Sequence, residues 1–299
     1  MLEIYLPGTG GMKPLPNRGL TGMWAEHNGK ALLIDCGEGM QISLAKCGRS
    51  LARLEAVLIT HFHADHIAGL PGLLLSAGNF GKTTPLKIYA PRGAAEIISN
   101  ICCICGEIPF EVQIYELPKK SDSFMCNDII ISYMPVRHRI DCFCYSLREE
   151  RKPVFSVMKA DKFGVPVELR KKLHSGECVE INGRTITPEM VTDGKRPPLK
   201  VTYITDTLYF DELSRFAEGS DLLICEGMYG DDEYLPKMQE KMHMVFSQSA
   251  KIAADSGSRE LWLTHYSPAL IEPHDYEAVM KSLFPGTVIS EDGQNKIIK

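Results

Sequence analysis

Thr60-His61-Phe62-His63-Ala64-Asp65-His66 places three imidazoles and one carboxylate within six positions. Ahead of it, 54–59 is an apolar run with the length and Val/Ile content of a buried strand. Behind it, 67–75 reads as a helix, with Asp65 as its N-cap. His61 and His63 stand two apart, so in extended chain their side chains leave on the same side and can share one metal. Asp65 and His66 follow the turn and face a neighbouring point. The spacing suits two metal ions better than one. A histidine-rich surface turn is the competing reading, but this order of ligand types between a strand and a helix is rare without a metal.

The order His61-Phe62-His63-Ala64-Asp65-His66 resembles the His-x-His-x-Asp-His signature of the metallo-β-lactamase superfamily. The resemblance implies an α/β fold: a four-layer αββα sandwich with metals at the edge where its two sheets meet. It also implies hydrolysis of an ester, amide or phosphodiester by a metal-bound hydroxide.

Composition sets the bounds. The 299 residues are 44% hydrophobic and 24% charged, the balance of a globular protein in water. No apolar run approaches the roughly 18 residues that span a bilayer. The start, Met1-Leu2-Glu3-Ile4-Tyr5-Leu6, lacks the basic region and apolar core of a signal peptide. The expectation is a cytoplasmic protein without membrane contact. Most of its ten cysteines are then expected to be free thiols in the core, and the dense group Cys102-Cys103-Ile104-Cys105 has no partners spaced for a metal or redox site. The net charge of −5 hides an asymmetry, because residues 148–200 hold twelve Lys/Arg against eight Asp/Glu. Such a basic segment on an acidic body can dock a phosphate backbone, although a solvated surface element gives the same count.

Taken in order, strands are expected at 3–6, 23–26, 30–34, 86–90, 113–117, 129–135, 201–205, 222–225 and 260–264. Asn28-Gly29 is a hairpin turn, which puts His27 at the surface. Asp35 ends the third strand between apolar residues and Cys36-Gly37, placed to accept a hydrogen bond from a ligand histidine. Asp206, Glu226 and His265 each end a later strand, and a carboxylate at Asp206 can bridge two cations. His243 precedes a helix over 246–256, while His174 and His274 read as surface residues. Residues 148–198 break the pattern with prolines and glycines. They are expected to hold a helix near 167–173 and a hairpin near 177–186, with too few apolar residues for a core. The chain is therefore read as one domain, 1–299, with an inserted arm. No phosphate loop and no Gly-x-Ser-x-Gly elbow is present.

With the superfamily resemblance, His138 falls where the third histidine ligand is expected. The implied ligand sets are His61, His63, His138 and Asp206 for one ion, and Asp65, His66, Asp206 and His265 for the other. Asp35 supports them from behind. Nitrogen and carboxylate donors without cysteine suit Zn²⁺, with Mn²⁺ or Fe as alternatives. Two such ions lie about 3.5–4 Å apart and bring a bridging water towards neutral pKa. Asp65, His243 and Glu226 are the candidate catalytic residues, His243 as proton donor to the leaving oxygen and Glu226 as its orienting partner.

Over nearly the whole chain the sequence is similar to the ribonuclease Z family, endonucleases that trim the 3′ trailer from precursor tRNA. The matching pieces include Pro7-Gly8-Thr9-Gly10-Gly11, Pro16-Asn17-Arg18, Asp35-Cys36-Gly37-Glu38-Gly39, Gly69-Leu70-Pro71-Gly72-Leu73 and Thr264-His265-Tyr266-Ser267. The resemblance implies a homodimer in which the 148–198 arm of one subunit holds tRNA for the other. Arg18, Arg170, Lys171 and Lys172 are the candidate substrate-binding residues. The chain departs from the family at Gly19, Thr205, Met244-Val245, Ala269-Leu270 and the shortened Gly164-Val165-Pro166 stretch. A hydrolase of a smaller phosphodiester or sulfate ester, such as a cyclic nucleotide, is the alternative. A non-catalytic RNA-binding relative would have lost ligands, and all seven are present.

Overall fold

The computed structural model describes all 299 residues. Its first half lays down β1 (Leu2–Gly8), β2 (Gly22–His27), β3 (Lys30–Ile34), β4 (Leu54–Leu58), β5 (Leu86–Pro91), β6 (Val112–Leu117), β7 (Asp122–Cys126), β8 (Ile129–Pro135) and β9 (Phe143–Glu149). Short strands β10 (Val154–Phe155), β11 (Val179–Ile181), β12 (Arg184–Ile186) and β13 (Thr192–Asp193) follow. The chain returns through β14 (Leu199–Ile204), β15 (Leu222–Glu226), β16 (Leu261–Thr264), β17 (Thr287–Ile289) and β18 (Asn295–Ile298).

Two seven-stranded sheets result, ordered β18-β1-β2-β3-β4-β5-β6 and β17-β16-β15-β14-β9-β8-β7. Period-two alternation divides their side chains between three cores. Leu2, Ile4, Met23, Leu32, Ile34 and Leu58 face Ile131, Tyr145, Tyr203 and Trp262 between the sheets. Their neighbours Trp24, Leu33 and Val57 turn the other way, onto Leu44, Leu70 and Leu74 of the covering helices. On the far side Leu223, Cys225 and Leu263 pack against Phe246, Ala250 and Ala253. Helix, sheet, sheet, helix is the expected four-layer αββα arrangement. Burial of both sheet faces explains why the central strands read as unbroken apolar runs.

The chain divides into two compact units, Met1–Glu149 with Leu199–Lys299, and Glu150–Pro198. The smaller unit corrects the expectation that the arm lacks a core. Ala160, Val165, Leu173, Val179, Ile186 and Val191 are buried together, with Phe155, Phe163 and Leu169 packed on them. Each short element contributes only one or two of these residues among lysines and glutamates, so no single window shows an apolar face. Helices Val157–Lys162 and Val167–Ser175 and the β11–β12 hairpin build it.

Three local readings also change. Instead of one helix over 67–75 capped by Asp65, a short helix Ala64–Ile67 has His63 at its N-cap, and a second runs Leu70–Asn79. The break has a packing cause. Cys36 N–H donates to His66 O and Gly69 N–H to Cys36 O, each at 2.8 Å, so the β3 loop runs through the gap. A Cβ on Gly69 would lie 1.9 Å from Gly37 O, which only glycine permits. His27 is 6% exposed and not a surface residue, because its ring packs back on the N-terminus, with Nδ1 3.2 Å from Met1 O. Strands β7, β9, β17 and β18 extend both sheets beyond the expected set. All ten cysteines are unpaired. No helix is long and apolar enough to cross a membrane.

Candidate metal centre

Parallel strands deliver the site. Asp35 follows β3, the His61 loop follows β4, Asp206 follows β14 and His265 follows β16. Asp35, Asp206 and His265 have φ of 61°, 52° and 61°, a left-handed conformation costly for residues with a side chain. The backbone thus turns sharply at each strand end. Nothing in the sequence marks those three turns, since asparagine or glycine would be the usual choice.

His61 Nε2 lies 3.0 Å from His63 Nδ1, and His63 Nδ1 lies 3.2 Å from His138 Nε2. Asp206 Oδ1 stands 3.7 Å from His61 Nε2 and 3.9 Å from His138 Nε2. The second group shares the other oxygen. Asp206 Oδ2 is 3.3 Å from both His66 Nε2 and His265 Nε2, while Asp65 Oδ2 is 3.5 Å and 3.7 Å from the same two nitrogens. All seven residues of the two expected ligand sets therefore converge, and the two oxygens of Asp206 face different groups. His66 Nε2 and His265 Nε2 are buried without any hydrogen-bond partner. Two orphaned ring nitrogens beside carboxylates are what a cation would satisfy, so the residues fit the divalent metal that this fold employs.

The electrostatics agree. Burial pushes the pKa of His61, His63 and His138 down, against the pull of Asp206, which keeps these rings neutral as ligands must be. Burial would also lower His66 and His265, but the surrounding carboxylates outweigh it; both are raised, His265 to about 10. Asp206 is held well below its usual value, because His265, His66 and His61 together overcome its desolvation.

Supporting contacts fix the rings. Asp35 Oδ2 lies 2.7 Å from His66 Nδ1, and Asp35 also accepts the backbone and hydroxyl donors of Thr60. Met12, at φ 67°, donates its backbone N–H to Asp65 Oδ2 at 2.7 Å. Gly11 lies flat under His265, where a Cβ would come within 2.7 Å of the ring. The roles of Thr60, Gly11 and Met12 are not legible individually, though Gly11 belongs to a motif that carries the resemblance.

His243 and Glu226 meet, as their pairing requires: Nδ1 lies 2.8 Å from Oε2. Burial lowers the affinity of His243 for a proton, Glu226 and Asp206 raise it more, and the net shift is upward. The centre opens into a cavity of about 720 Å³ lined by His63, Asp65, His138, Asp206, His243 and His265. Two proposed substrate-binding residues are employed elsewhere. Arg18 donates to the carbonyls of Leu270 and Ile271 at 2.9 and 3.0 Å and lies over Tyr266, so its charge anchors a loop. Arg170 pairs with Asp161 and donates to Val165 O, inside the smaller unit. Lys171 and Lys172 remain exposed.

Five histidines and two carboxylates gathered where two facing sheets end define a metal-dependent hydrolase of the metallo-β-lactamase fold. A family model described as Beta-lactamase superfamily domain matches residues 191–266, and one described as Anti-Pycsar protein Apyc1 matches residues 3–162. The chain is 41% identical over 295 residues to ribonuclease Z of Agathobacter rectalis, covering 99% of this chain and 97% of the relative. It is 42% identical over 299 residues to ribonuclease Z of Clostridium kluyveri, covering 100% and 99%. The chain belongs to the ribonuclease Z family. Human tRNase Z, short form, shares the fold with a TM-score of 0.70 at 22% identity, covering 99% of both chains. The metallo-β-lactamase fold protein YhfI from Bacillus subtilis does so with a TM-score of 0.70 at 21% identity, covering 99% of this chain and 98% of that one.

Proposed function

We propose that the chain is an endonuclease that removes the 3′ trailer of precursor tRNA. His61, His63, His138 and Asp206 would hold one divalent ion, and Asp65, His66 and His265 with Asp206 beside them would hold a second, Zn²⁺ by the chemistry of the donors. One observation carries the reaction: His243, held by the buried Glu226, lines the same cavity as the ligand cluster. The bound ions supply Lewis acidity, lowering the pKa of water and offsetting charge on the phosphoryl oxygens. The protein supplies the rest. Asp65, fixed by the Met12 N–H, orients the attacking water. Glu226 holds the Nδ1 proton of His243, leaving Nε2 to pass a proton to the departing oxygen.

The tRNA substrate rests on the relatives, which match the chain over its full length, the 150–198 unit included. Lys171 and Lys172 offer a phosphate backbone two exposed cations there. We take the assembly to be a cytoplasmic homodimer, with the small unit of one subunit serving its partner. Light scattering should give twice the chain mass.

The cavity of about 720 Å³ into which the centre opens also admits a smaller phosphodiester, which is the second reading at the same centre. Incubating the metal-loaded protein with trailer-bearing precursor tRNA and with a cyclic nucleotide separates the two. Cleavage at the trailer junction supports the endonuclease. Turnover of the cyclic nucleotide with tRNA untouched supports the alternative.

A further inference from the structure

We propose that Lys237, Lys241, Tyr229 and Ser267 form a second phosphate subsite beside the metal centre, for the phosphodiester that flanks the scissile one on the leaving-group side. This rests on the reading of the centre as a phosphodiesterase with His243 as proton donor.

The first observation is the charge of the cavity wall. Its charged lining residues, apart from Asp65 and Asp206 of the metal centre and the histidines, are Lys13, Arg139, Lys237 and Lys241, all cations. Away from the ions the cavity therefore favours an anion. Lys237 and Lys241 stand four apart on the helix Leu235–Lys241, so both project from one face.

The second observation is that this wall is built. Lys237 Nζ donates to Tyr229 Oη at 3.0 Å and lies 4.7 Å from the centre of the Tyr229 ring. Tyr229 in turn stacks on Tyr234 at 4.1 Å and 6°. Lys237 has no carboxylate among the groups that act on it, so its charge is held in place without being neutralised. A cation preorganised in this way binds an anion with less ordering cost than a free surface lysine, while Lys241, 3.9 Å from Glu240 Oε1, adds a partly screened charge beside it.

Hydrogen-bond accounting supplies the third. Tyr229 Oη accepts from Lys237 and from Ser267 Oγ at 2.9 Å, which occupies both its lone pairs. Its own proton has no protein acceptor. A phosphate oxygen lying against Lys237 would take that proton's hydrogen bond.

Position fixes the side of the substrate. His243 N–H donates to Met238 O at 3.0 Å, and Phe246 N–H donates to Tyr229 O at 3.0 Å. Both the helix and Tyr229 are thus fastened to the segment that carries the proton donor, whose partner oxygen is the leaving group.

Calorimetric binding of adenosine 3′-monophosphate and adenosine 3′,5′-bisphosphate to the metal-loaded protein tests this. The wild type should prefer the bisphosphate by about tenfold or more, the worth of one charge-assisted hydrogen bond. Lys237→Met should bring the ratio of the two affinities close to one, and Tyr229→Phe, which keeps the stacked ring, should lower it. Equal wild-type affinities, or a ratio unchanged in Lys237→Met, would overturn the subsite. A bisphosphate preference in a protein that ignores precursor tRNA would remove the tRNA substrate and leave the subsite standing. Cleavage of tRNA without that preference would remove the subsite alone.

Discussion

Glu226 Oε2 lies 2.8 Å from His243 Nδ1, while Glu226 Oε1 accepts the backbone N–H of Thr207 at 2.7 Å. The carboxylate is fully buried and fixed at both oxygens, so the imidazole has one orientation available. Replacing His243 by Ala should leave the metal content intact and slow tRNA cleavage by roughly 10²–10⁴-fold, the range for losing a general acid. The loss should shrink for bis(p-nitrophenyl) phosphate, whose leaving group departs without a proton. Equal losses on both substrates would assign His243 a binding or folding role.

The same contact predicts a pH effect. Burial pulls the pKa of His243 down, and the negative charge of Glu226, helped by Asp206, more than reverses this. A donor must be protonated, so activity should fall as pH rises through this raised value. In Glu226→Gln the charge is gone and the falling limb should move to lower pH, with metal content retained. An unshifted limb in the pH–rate profile contradicts the assignment.

Asp206 shows one oxygen to each ligand group, 3.7 Å from His61 Nε2 and 3.3 Å from His265 Nε2. Asp206→Ala should therefore lower occupancy at both positions in elemental analysis. Loss of a single ion would show that it does not bridge.

How far the sequence carries differs by element, for physical reasons. The 61–66 loop is legible because four ligands fall in one turn, and β3, β4, β14 and β15 because they are buried on both faces. His138, Asp206 and His265 are isolated in sequence. Each becomes a candidate only through its strand end and the family pattern. Strand β9, Phe143–Glu149, mixes aromatic, Ser, Cys and charged residues and lacks a bounding turn signal, although five of its seven residues are buried. The hydrogen bond from Met12 to Asp65 is made by the backbone, so the identity of residue 12 carries no trace of it. Arg18 and Arg170 show the converse: a cation that reads as a phosphate contact can be engaged by the fold itself.

Charge reversal in the smaller unit follows from that distinction. Lys171→Glu with Lys172→Glu should weaken precursor-tRNA cleavage mainly through KM, because remote contacts contribute uniform binding. The salt dependence should flatten as phosphate contacts are lost. Arg170→Glu should instead destabilise the small unit, since it breaks the pair with Asp161 and the bond to Val165 O; a drop in melting temperature reads this. Unchanged tRNA kinetics in the double reversal would remove these lysines from the substrate path.

Chelation followed by stoichiometric metal return tests the central claim most directly. The metal-free protein should not cleave precursor tRNA, and activity should return as zinc is added, reaching its plateau near two ions per chain. Full activity in protein shown by elemental analysis to be free of metal would contradict the account.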